Sequence, residues 1–313
     1  MSLRILVTGA TGFVGRRLAG RLAAAGHRVG AVAIDQQELP FAAERFAVDI
    51  RDPAALADTV VRFAPDRIVH LAALSHVGES WRRIPEYFAI NVLGVEHVLA
   101  AARRCPVLFM SSAEVYGLVP DDAQPISELR PLSPRNPYAL TKAAAERLAL
   151  AAGATVVRSF NLIGAGQAAS FALPSFAAQL AAIERGAPPQ LSVGNLSARR
   201  DFLHIEDAVA ALALLAETPQ PGTVLNLASG VDHSIAELLE RLIALSGLEV
   251  RCVEDPDKLR PVDVPRLCGD ASRLRGLGWQ PERGVEAALG DLFAEARGSR
   301  KAAVAPAAGE PVA

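Results

Sequence analysis

Tyr138 and Lys142 are the two residues whose types and spacing point most directly to chemistry. They follow Pro137, which favours a helix start, and residues four apart lie on one face of a helix. A phenol with its usual pKa of about 10 is a poor base at neutral pH, whereas a neighbouring ammonium group stabilises the phenolate. The pair therefore predicts proton transfer to or from an oxygen atom, with Tyr138 carrying the proton.

A glycine-rich loop near the N-terminus indicates the reagent with which this pair works. Gly9, Gly12 and Gly15 lie between an apolar run and a helical segment. Glycines in this place permit a tight turn and let a pyrophosphate approach the N-terminus of the helix. The loop predicts a bound dinucleotide and, together with Tyr138, hydride transfer at a carbon that bears a hydroxyl or a ketone. The other loop residues expected to contact the cofactor are Thr11, Phe13 and Val14.

Two later segments are expected to complete the cofactor site. Asp49 follows a further strand and is placed to receive the adenine, although it fits almost equally well as a helix cap. A buried strand ends at His70, and the small residues that follow it allow the backbone to contact the cofactor. His70 itself is interpreted as a residue packed at the end of this strand. The other predicted cofactor contacts in these segments are Ile50, Leu71, Ala72 and Ala73.

The sequence leaves the choice between NAD and NADP open. An acidic residue at the end of the second strand binds the ribose of NAD, and an arginine there accepts the 2′-phosphate of NADP. Asp35 lies at the expected distance from the glycines, but the contact position could instead be Ala33. Arg16 or Arg17 is an alternative phosphate contact.

The first half of the chain alternates short apolar runs with Ala-, Leu- and Arg-rich helical segments. This pattern is typical of a parallel sheet that is covered by helices on both faces. We predict an α/β protein with a Rossmann-type doubly wound parallel sheet and a smaller C-terminal α/β substrate-binding lobe. The predicted strands are Ile5–Val7, Val29–Ile34, Arg67–Leu71, Val107–Ser111 and Thr155–Ser159, and the predicted helices are Arg16–Ala25, Val92–Arg103 and Tyr138–Ala152.

The pattern changes near residue 160, after which Gly and Pro are more frequent and the segments are irregular. We predict a dinucleotide-binding domain over residues 1–160, with return segments at 203–227. Residues 161–202 and 228–297 are predicted to form a nucleotide-sugar-binding lobe. Residues 298–313 are rich in Ala, Pro and Gly without apolar periodicity, which predicts a disordered tail.

The composition is that of an ordinary globular protein. The chain has 313 residues, 51% of them hydrophobic, and a formal charge of -2, so nothing suggests binding to nucleic acid or a membrane surface. No run approaches the roughly 20 apolar residues of a membrane helix, and the N-terminus does not resemble a signal peptide. Cys105, Cys252 and Cys268 are odd in number and widely spaced, which is typical of reduced thiols in a cytoplasmic protein without a metal site.

The glycine loop, the Tyr/Lys pair and Ser112, at the end of the preceding strand, together resemble the extended short-chain dehydrogenase/reductases. This is a family of NAD(P)-dependent nucleotide-sugar epimerases, dehydratases and reductases, and the resemblance covers about residues 3–296. It implies that Ser112, Tyr138 and Lys142 form a catalytic triad. It also implies that Asn91 supports the active site beside the cofactor, although Asn91 also fits a helix start. A homodimer formed by the helices around 92–103 and 142–152 is a further implication.

Residues in the second half resemble the family's nucleotide-sugar contacts. Arg200 and Arg260 match positions at which arginines bind the pyrophosphate, for which a bidentate guanidinium is well suited. Asn161 matches a sugar-nucleotide contact, and Asn195 lies in a further stretch of resemblance. The loop after the fourth strand adds two polar residues that could touch the sugar or line its pocket, Ser75 and His76.

Three stretches, 160–167, 193–202 and 259–270, resemble GDP-4-dehydro-6-deoxy-mannose reductases. The resemblance implies that NADPH or NADH reduces the C4 ketone of GDP-4-dehydro-6-deoxy-D-mannose to give GDP-D-rhamnose. Of the reactions considered, reduction requires the fewest catalytic groups, because Tyr138 donates one proton while Ser112 polarises the ketone oxygen.

The residues leave three alternative functions open. A 4,6-dehydratase needs a proton relay, and here Ala113 cannot transfer a proton although Glu114 is present. Glu114 is therefore either a catalytic base or a polar contact. A 4-epimerase needs only the triad and a retained cofactor. A non-catalytic dinucleotide sensor is the third alternative, but such proteins commonly lose the Tyr/Lys pair.

Overall fold

The computed structural model describes residues 2–35, 37–259 and 262–298. Its strands form one large parallel sheet and two small sheets. The strands are β1 (Arg4–Thr8), β2 (Arg28–Ala33), β3 (Glu44–Ala47), β4 (Arg67–His70), β5 (Val107–Ser112), β6 (Thr155–Ser159), β7 (Asn161–Ile163), β8 (Gln190–Val193), β9 (Arg199–His204), β10 (Val224–Leu227), β11 (Asp232–Ser234), β12 (Arg251–Glu254) and β13 (Arg266–Leu267).

Helices connect most of these strands. A π-helix over Ala89–Leu93 runs directly into α5, and short 3₁₀ helices lie at Ala113–Tyr116, Asp121–Ala123 and Pro256–Lys258. The α-helices are α1 (Phe13–Ala24), α2 (Pro53–Phe63), α3 (Val77–Ser80), α4 (Ile84–Phe88), α5 (Gly94–Ala102), α6 (Pro137–Ala151), α7 (Ala172–Glu184), α8 (Ile205–Glu217), α9 (Ile235–Ser246), α10 (Ser272–Arg275) and α11 (Val285–Gly298).

The large sheet has the strand order β10-β6-β5-β4-β1-β2-β3, and all of its pairings are parallel. Successive side chains of a strand point to opposite faces of the sheet. In β1, Ile5 and Val7 join the core that also contains α1 and α8, whereas Leu6 joins the core that contains α2, α5 and α6. Both faces are therefore covered, and the predicted doubly wound parallel sheet is confirmed.

A third core lies in the second half of the chain. It is formed mainly by α7, α9 and α11, with contributions from β7 and β8. In the small sheets, β9 pairs with β7, β11 and β13, and β8 pairs with β12. Residues 264–279 pack on the core of α1 and α8 instead, and the predicted domain boundaries stay a prediction.

The observed elements differ from the predicted ones mostly at their ends. β2 stops at Ala33, and Ile34, the last residue of the predicted strand, is 77% exposed. The helix predicted from Val92 begins as the π-helix, and Arg103 has a φ of +52° beyond its end. Helix α11 ends at Gly298, the first residue of the predicted disordered tail, and the rest of that tail lies outside the described residues.

Candidate functional site

The loop between β1 and α1 has the backbone that a dinucleotide site requires. Gly9 has a φ of +67°, which is a left-handed conformation that favours glycine. A Cβ atom at Gly15 would lie 2.1 Å from the Gly9 carbonyl oxygen, and one at Gly9 would lie 2.8 Å from the Ala72 amide nitrogen. Gly12 caps α1 without a side-chain hydrogen bond, so the first backbone amides of this helix are available to bind an anion. The predicted neighbours Phe13 and Val14 are partly buried against the core.

The end of β4 lies against this loop, as the sequence predicts. The Leu71 amide donates to the Thr8 carbonyl oxygen, and the Thr8 hydroxyl lies 2.7 Å from Nδ1 of His70. His70 is 1% exposed and stacks on Phe109, and burial lowers the pKa of its ring to about 3. His70 is therefore neutral and packed. Ala72 and Ala73 follow it toward the surface.

The predicted adenine end of the site is built from residues 49–52. Hydrogen bonds from Arg51 hold the pKa of Asp49 below its usual value. The capping residue of α2 is Asp52, which accepts from the amides of Ala54 and Ala55. The alternative interpretation of Asp49 as a helix cap is therefore wrong. Ile50, the other cofactor contact predicted in this segment, is buried against Gly94.

The three predicted catalytic residues lie together at the end of β5 and the start of α6. Ser112, Tyr138 and Lys142 are 8%, 8% and 4% exposed. The Ser112 hydroxyl acts on the Tyr138 phenol and lowers its pKa against the larger effect of burial. The Lys142 ammonium lies 4.5 Å from the centre of the Phe109 ring.

Burial dominates the electrostatics of the pair. It raises the pKa of Tyr138 to about 12 against the opposing effect of Ser112, and it lowers the pKa of Lys142 to about 7 against the charge of Glu146. The sequence predicts that the Lys142 ammonium lowers the pKa of Tyr138, but the pKa is raised. Desolvation disfavours both the phenolate of Tyr138 and the ammonium of Lys142. A phenol with this pKa stays protonated at neutral pH and can donate a proton.

Asn136 caps the helix that carries Tyr138 and Lys142, and the sequence did not single it out. Its side-chain oxygen accepts from the Ala139 amide at 2.8 Å and caps α6, while its amide donates to Glu114 at 2.9 Å. Asparagine followed by Pro137 at the first helical position is a recognisable start signal. Glu114, a catalytic candidate from the sequence, is thereby held near Tyr138, and its charge raises the Tyr138 pKa.

Asn91 ties the active-site helix to the loop after β4. Its amide nitrogen donates to the Leu74 carbonyl oxygen at 2.9 Å and to the Thr141 hydroxyl at 3.1 Å, and its oxygen accepts from the Leu74 amide. Both amide hydrogens are therefore used within the protein. These bonds join α6 to the loop after β4, and the supporting role of Asn91 beside the cofactor stays a prediction.

A buried ion pair behind Lys142 was also missed. Glu146, one turn further along α6, accepts from the Arg158 guanidinium and from the Ser111 hydroxyl. Arg158 also donates to the Tyr116 hydroxyl at 2.9 Å. Residues 111, 146 and 158 come from three elements, and no local sequence signal joins them.

A cavity of about 610 Å³ lies between the loop after β4 and the C-terminal core, and Ser112, Tyr138 and Lys142 are not among the residues that line it. His76 forms part of its wall, and its carbonyl oxygen accepts from the hydroxyl of Tyr87, whose ring packs edge-on against Tyr138. His76 and Tyr87 therefore connect the wall of the cavity to the Tyr138 ring. Ser75 is exposed next to His76, and the predicted substrate residues Asn161, Asn195 and Arg200 line the cavity.

Arg200 is the buried cation of this cavity. It is 5% exposed, and its guanidinium donates to Asp263 at 2.8 Å and to the Arg199 carbonyl oxygen. Asn195 donates to the other oxygen of Asp263, also at 2.8 Å. The structure thus brings Arg200 and Asn195 together, whereas Arg260, the other predicted pyrophosphate ligand, lies outside the described residues.

Among the described residues, no group of three or more His, Cys, Asp or Glu side chains is placed to hold a metal ion, and the three cysteines are free. None of the helices in this part of the chain is long and apolar enough to cross a membrane.

Comparison with known proteins places the chain among nucleotide-sugar enzymes. Residues 6–292 match the family model described as GDP-mannose 4,6 dehydratase. The chain is 36% identical to the GDP-6-deoxy-D-mannose reductase of Pseudomonas aeruginosa, over 94% of this chain and 97% of that protein.

Two solved structures are similar in fold over nearly their whole length. The structure of RMD from Pseudomonas aeruginosa complexed with NADPH has a TM-score of 0.83 and 34% identity, covering 95% of this chain and 99% of the other. The UDP-glucose 4-epimerase of Thermus thermophilus in complex with NAD has a TM-score of 0.85 and 25% identity, covering 95% and 100%.

Proposed function

This chain belongs to the GDP-mannose 4,6 dehydratase family of extended short-chain dehydrogenase/reductases, and from that premise we propose that it is an NAD(P)H-dependent nucleotide-sugar reductase. The substrate is GDP-4-dehydro-6-deoxy-D-mannose, whose C4 ketone is reduced to give GDP-D-rhamnose. The observation that carries the proposal is the similarity to GDP-6-deoxy-D-mannose reductase along almost the whole chain.

Tyr138 acts as the proton donor. Burial raises the pKa of its phenol to about 12, so the phenol stays protonated at neutral pH. A reduced nicotinamide held at the glycine loop would supply the hydride for C4, and the electron pair of the carbonyl bond would move onto the oxygen. Tyr138 gives that oxygen its proton, while the Ser112 hydroxyl polarises the carbonyl group. The phenolate then recovers a proton from solvent, so that one NAD(P)H and one proton are consumed for each alcohol formed.

Residues from both halves of the chain hold the two reactants. We assign the glycine loop, the segments 49–50 and 71–73, and Lys142 to the dinucleotide. We assign the GDP-sugar to the cavity, with the buried Arg200 at its diphosphate and with Asn161 and Asn195 as contacts of the nucleotide sugar. Residues 161–202 and 228–297 then form the nucleotide-sugar lobe, and residues 1–160 with 203–227 form the dinucleotide domain.

A 4,6-dehydratase or a 4-epimerase with retained cofactor is the second candidate, because proteins of both kinds share the fold. Ala113 is buried and has no group that transfers a proton, and Glu114 is already bonded to Asn136. These contacts favour the reductase over the dehydratase. The intact Tyr138 and Lys142 pair argues against a non-catalytic dinucleotide sensor.

The chain forms a homodimer in the cytoplasm through the outer faces of α5 and α6. Leu93, the last residue of the π-helix that runs into α5, is 56% exposed, and Leu140 and Leu148 of α6 are 49% and 38% exposed. Neighbouring exposed leucines on two adjacent helices are apolar surface that a second copy would bury. The pairing of two such helices from each copy would hold both catalytic helices in place.

The direct test is the loss of reduced-nicotinamide absorbance when the purified protein meets GDP-4-dehydro-6-deoxy-D-mannose, with NADH and NADPH tried separately. Oxidation of one coenzyme for each sugar, with GDP-D-rhamnose identified by NMR, supports the proposal. Conversion of GDP-mannose or a UDP-sugar without net oxidation would overturn it in favour of the dehydratase or the epimerase.

A further inference from the structure

A buried carboxylate lies one turn beyond Lys142 on α6, and the proposed reaction does not use it. Glu146 is 1% exposed. Its oxygens accept from the Arg158 guanidinium at 3.1 Å and from the Ser111 hydroxyl at 2.9 Å. A buried carboxylate needs hydrogen bonds and an opposite charge to compensate for its lost hydration, and the neighbouring strands β5 and β6 provide both. Glu146 is thus fixed behind the active site.

The cation that pairs with Glu146 is itself held in place. Arg158 is 5% exposed and donates to the Tyr116 hydroxyl at 2.9 Å and to the Glu128 carbonyl oxygen at 3.0 Å. The Tyr116 hydroxyl donates in turn to Asn226 of β10 at 2.6 Å. Hydrogen bonds therefore connect the edge of the large sheet to α6, and they leave the ion pair little freedom to move.

Lys142 lies in apolar surroundings for a charged group. It is 4% exposed, and its ammonium is 4.5 Å from the centre of the Phe109 ring. His70 of β4, which stacks on Phe109, is neutral because burial lowers its pKa to about 3. Residues four apart share one face of a helix, which brings Glu146 next to Lys142. The charge of Glu146 opposes the effect of burial on the Lys142 pKa.

The other titratable groups packed around this part of α6 act on Tyr138. Burial raises the pKa of Tyr138 itself to about 12. Tyr87 of α4 packs on its ring, and burial raises the pKa of Tyr87 to about 12 as well. Glu114, in the 3₁₀ helix after β5, also raises the Tyr138 pKa. Among the described residues, the negative charge that acts on Lys142 is that of Glu146.

We propose that Glu146 is a positioning residue that keeps Lys142 in its ammonium form beside Tyr138. The inference rests on the proposed function, in which Tyr138 gives up its proton and becomes a phenolate in a buried site. A neighbouring ammonium stabilises that phenolate, whereas a neutral amine does not. Removal of the Glu146 charge leaves the cost of burial unopposed at Lys142, which then loses its proton at a lower pH.

Titration of the lysine side chains in the full chain tests the proposal without any substrate. The sequence contains three lysines, Lys142, Lys258 and Lys301, so NMR of the chain labelled at the lysine ε-carbons gives few signals, and Lys142→Met identifies the relevant one. Glu146→Gln removes the charge but keeps an oxygen that accepts hydrogen bonds. We expect the midpoint of the Lys142 titration to fall by about one pH unit or more, because a neighbouring opposite charge shifts a pKa by about 1–3.

Two further variants separate the charge of Glu146 from its place in the fold. Ser111→Ala is the matched control, because it removes one hydrogen bond to Glu146 and leaves the charge, so the Lys142 midpoint should stay at its native value. Glu146→Gln combined with Arg158→Met removes both charges of the ion pair, which keeps the test open where Glu146→Gln alone does not fold. It should also lower the midpoint. A native midpoint in a folded Glu146 variant would overturn the proposal and assign the ion pair to stability alone.

The pH dependence of reduction tests the role of this charge in the reaction. In Glu146→Gln the alkaline fall in kcat should begin at a lower pH, by the same amount as the Lys142 midpoint. KM for the GDP-sugar should stay near its native value, because Glu146 does not line the cavity. A lowered midpoint with an unshifted kcat profile would overturn the role of Glu146 in the reaction. A lowered midpoint in a chain that reduces no ketone would contradict the proposed function and leave the effect of Glu146 on the Lys142 charge standing.

Discussion

The catalytic triad and the substrate cavity are built in opposite ways. Tyr138 and Lys142 are buried on one helix, and Asn136 and Asn91 bond that helix to the neighbouring loops. The cavity is partly exposed, and its wall consists of residues from separate stretches of the chain, 76–82, 161–176, 194–202 and 256–259, together with Ile235 and Asp263. The buried site fixes which reaction is possible, whereas the open cavity decides which molecule undergoes it.

The two regions also treat charge differently. Burial near the triad disfavours the charged forms of both Tyr138 and Lys142, which shifts their pKa values in opposite directions. In the cavity, Arg200 is buried but paired with Asp263, so its charge is compensated before any substrate binds. Mutations at the first site should therefore change the rate, and mutations at the second should change the affinity.

The largest effect is expected from Tyr138→Phe. Without the phenol hydroxyl no proton reaches the ketone oxygen, and kcat should fall by about 10²–10⁴-fold. The rate is measured by NAD(P)H absorbance under saturating substrate. Coenzyme affinity should stay within about threefold of the native value, because the ring and its packing on Tyr87 are retained. A variant that kept most of its kcat would show that another group donates the proton.

Arg200→Leu should weaken binding of the GDP-sugar in the cavity. Loss of a charge-assisted contact to the diphosphate is expected to raise KM for the GDP-sugar by about tenfold or more, with a smaller change in kcat. Arg199→Leu is the matched control, since Arg199 is the neighbouring residue of β9 and pairs with Asp232 and Glu237 instead. Equal effects of the two substitutions would rule out a specific role for Arg200.

Glu114→Gln should have a small effect on reduction. Glutamine can still accept a hydrogen bond from Asn136, and a reductase needs no second base beside Tyr138. We expect kcat to change by less than about fivefold, as for a lost polar contact. A loss as large as that of Tyr138→Phe would show that Glu114 transfers a proton and would favour the dehydratase alternative.

Lys142→Met should abolish activity but stabilise the fold. Burial lowers the pKa of Lys142 to about 7 from its usual 10.5, so the unfolded chain binds an extra proton between these values. The contribution of this group to the free energy of unfolding therefore rises with pH from about 7 to about 10.5. Below pH 7 Lys142 is charged in both the folded and the unfolded chain, and burying the charge destabilises the fold in full.

The expected gain for Lys142→Met is about 1 kcal/mol or more at about pH 7, and it should shrink toward about pH 10. Thermal unfolding at both pH values measures it, with Lys258→Met as an exposed control. A destabilised Lys142→Met at neutral pH would show that the ammonium contributes more through its contacts than burial costs it.

The sequence predicted the parts of the molecule that depend on local patterns. The alternation of apolar runs and helices predicted the main sheet, and the glycine loop occupies its predicted place between β1 and α1. Strand β3 was not delimited, because only Phe46 of its four residues is buried and an edge strand lacks a clear apolar pattern. The π-helix before α5 likewise has no sequence signal that separates it from an α-helix.

Contacts between distant segments could not be predicted. Arg200 and Asp263 are 63 residues apart, and Asn136 and Glu114 are 22 apart, so their pairing depends on the fold and not on spacing. The pKa of Tyr138 was expected to fall because the sequence shows the neighbouring lysine but not the burial that outweighs it. Asp35 was identified from its distance to the glycines, whereas its bond to Thr11 became visible only in the fold.

The measurement that tests the account most directly is isotope transfer. The protein is given GDP-4-dehydro-6-deoxy-D-mannose and reduced coenzyme deuterated at the transferable position, in ordinary water. NMR should find deuterium on C4 of the GDP-D-rhamnose formed, with one oxidised coenzyme for each product molecule. A sugar product without deuterium at C4, or turnover without net oxidation of the coenzyme, would contradict the assignment of this chain as a reductase.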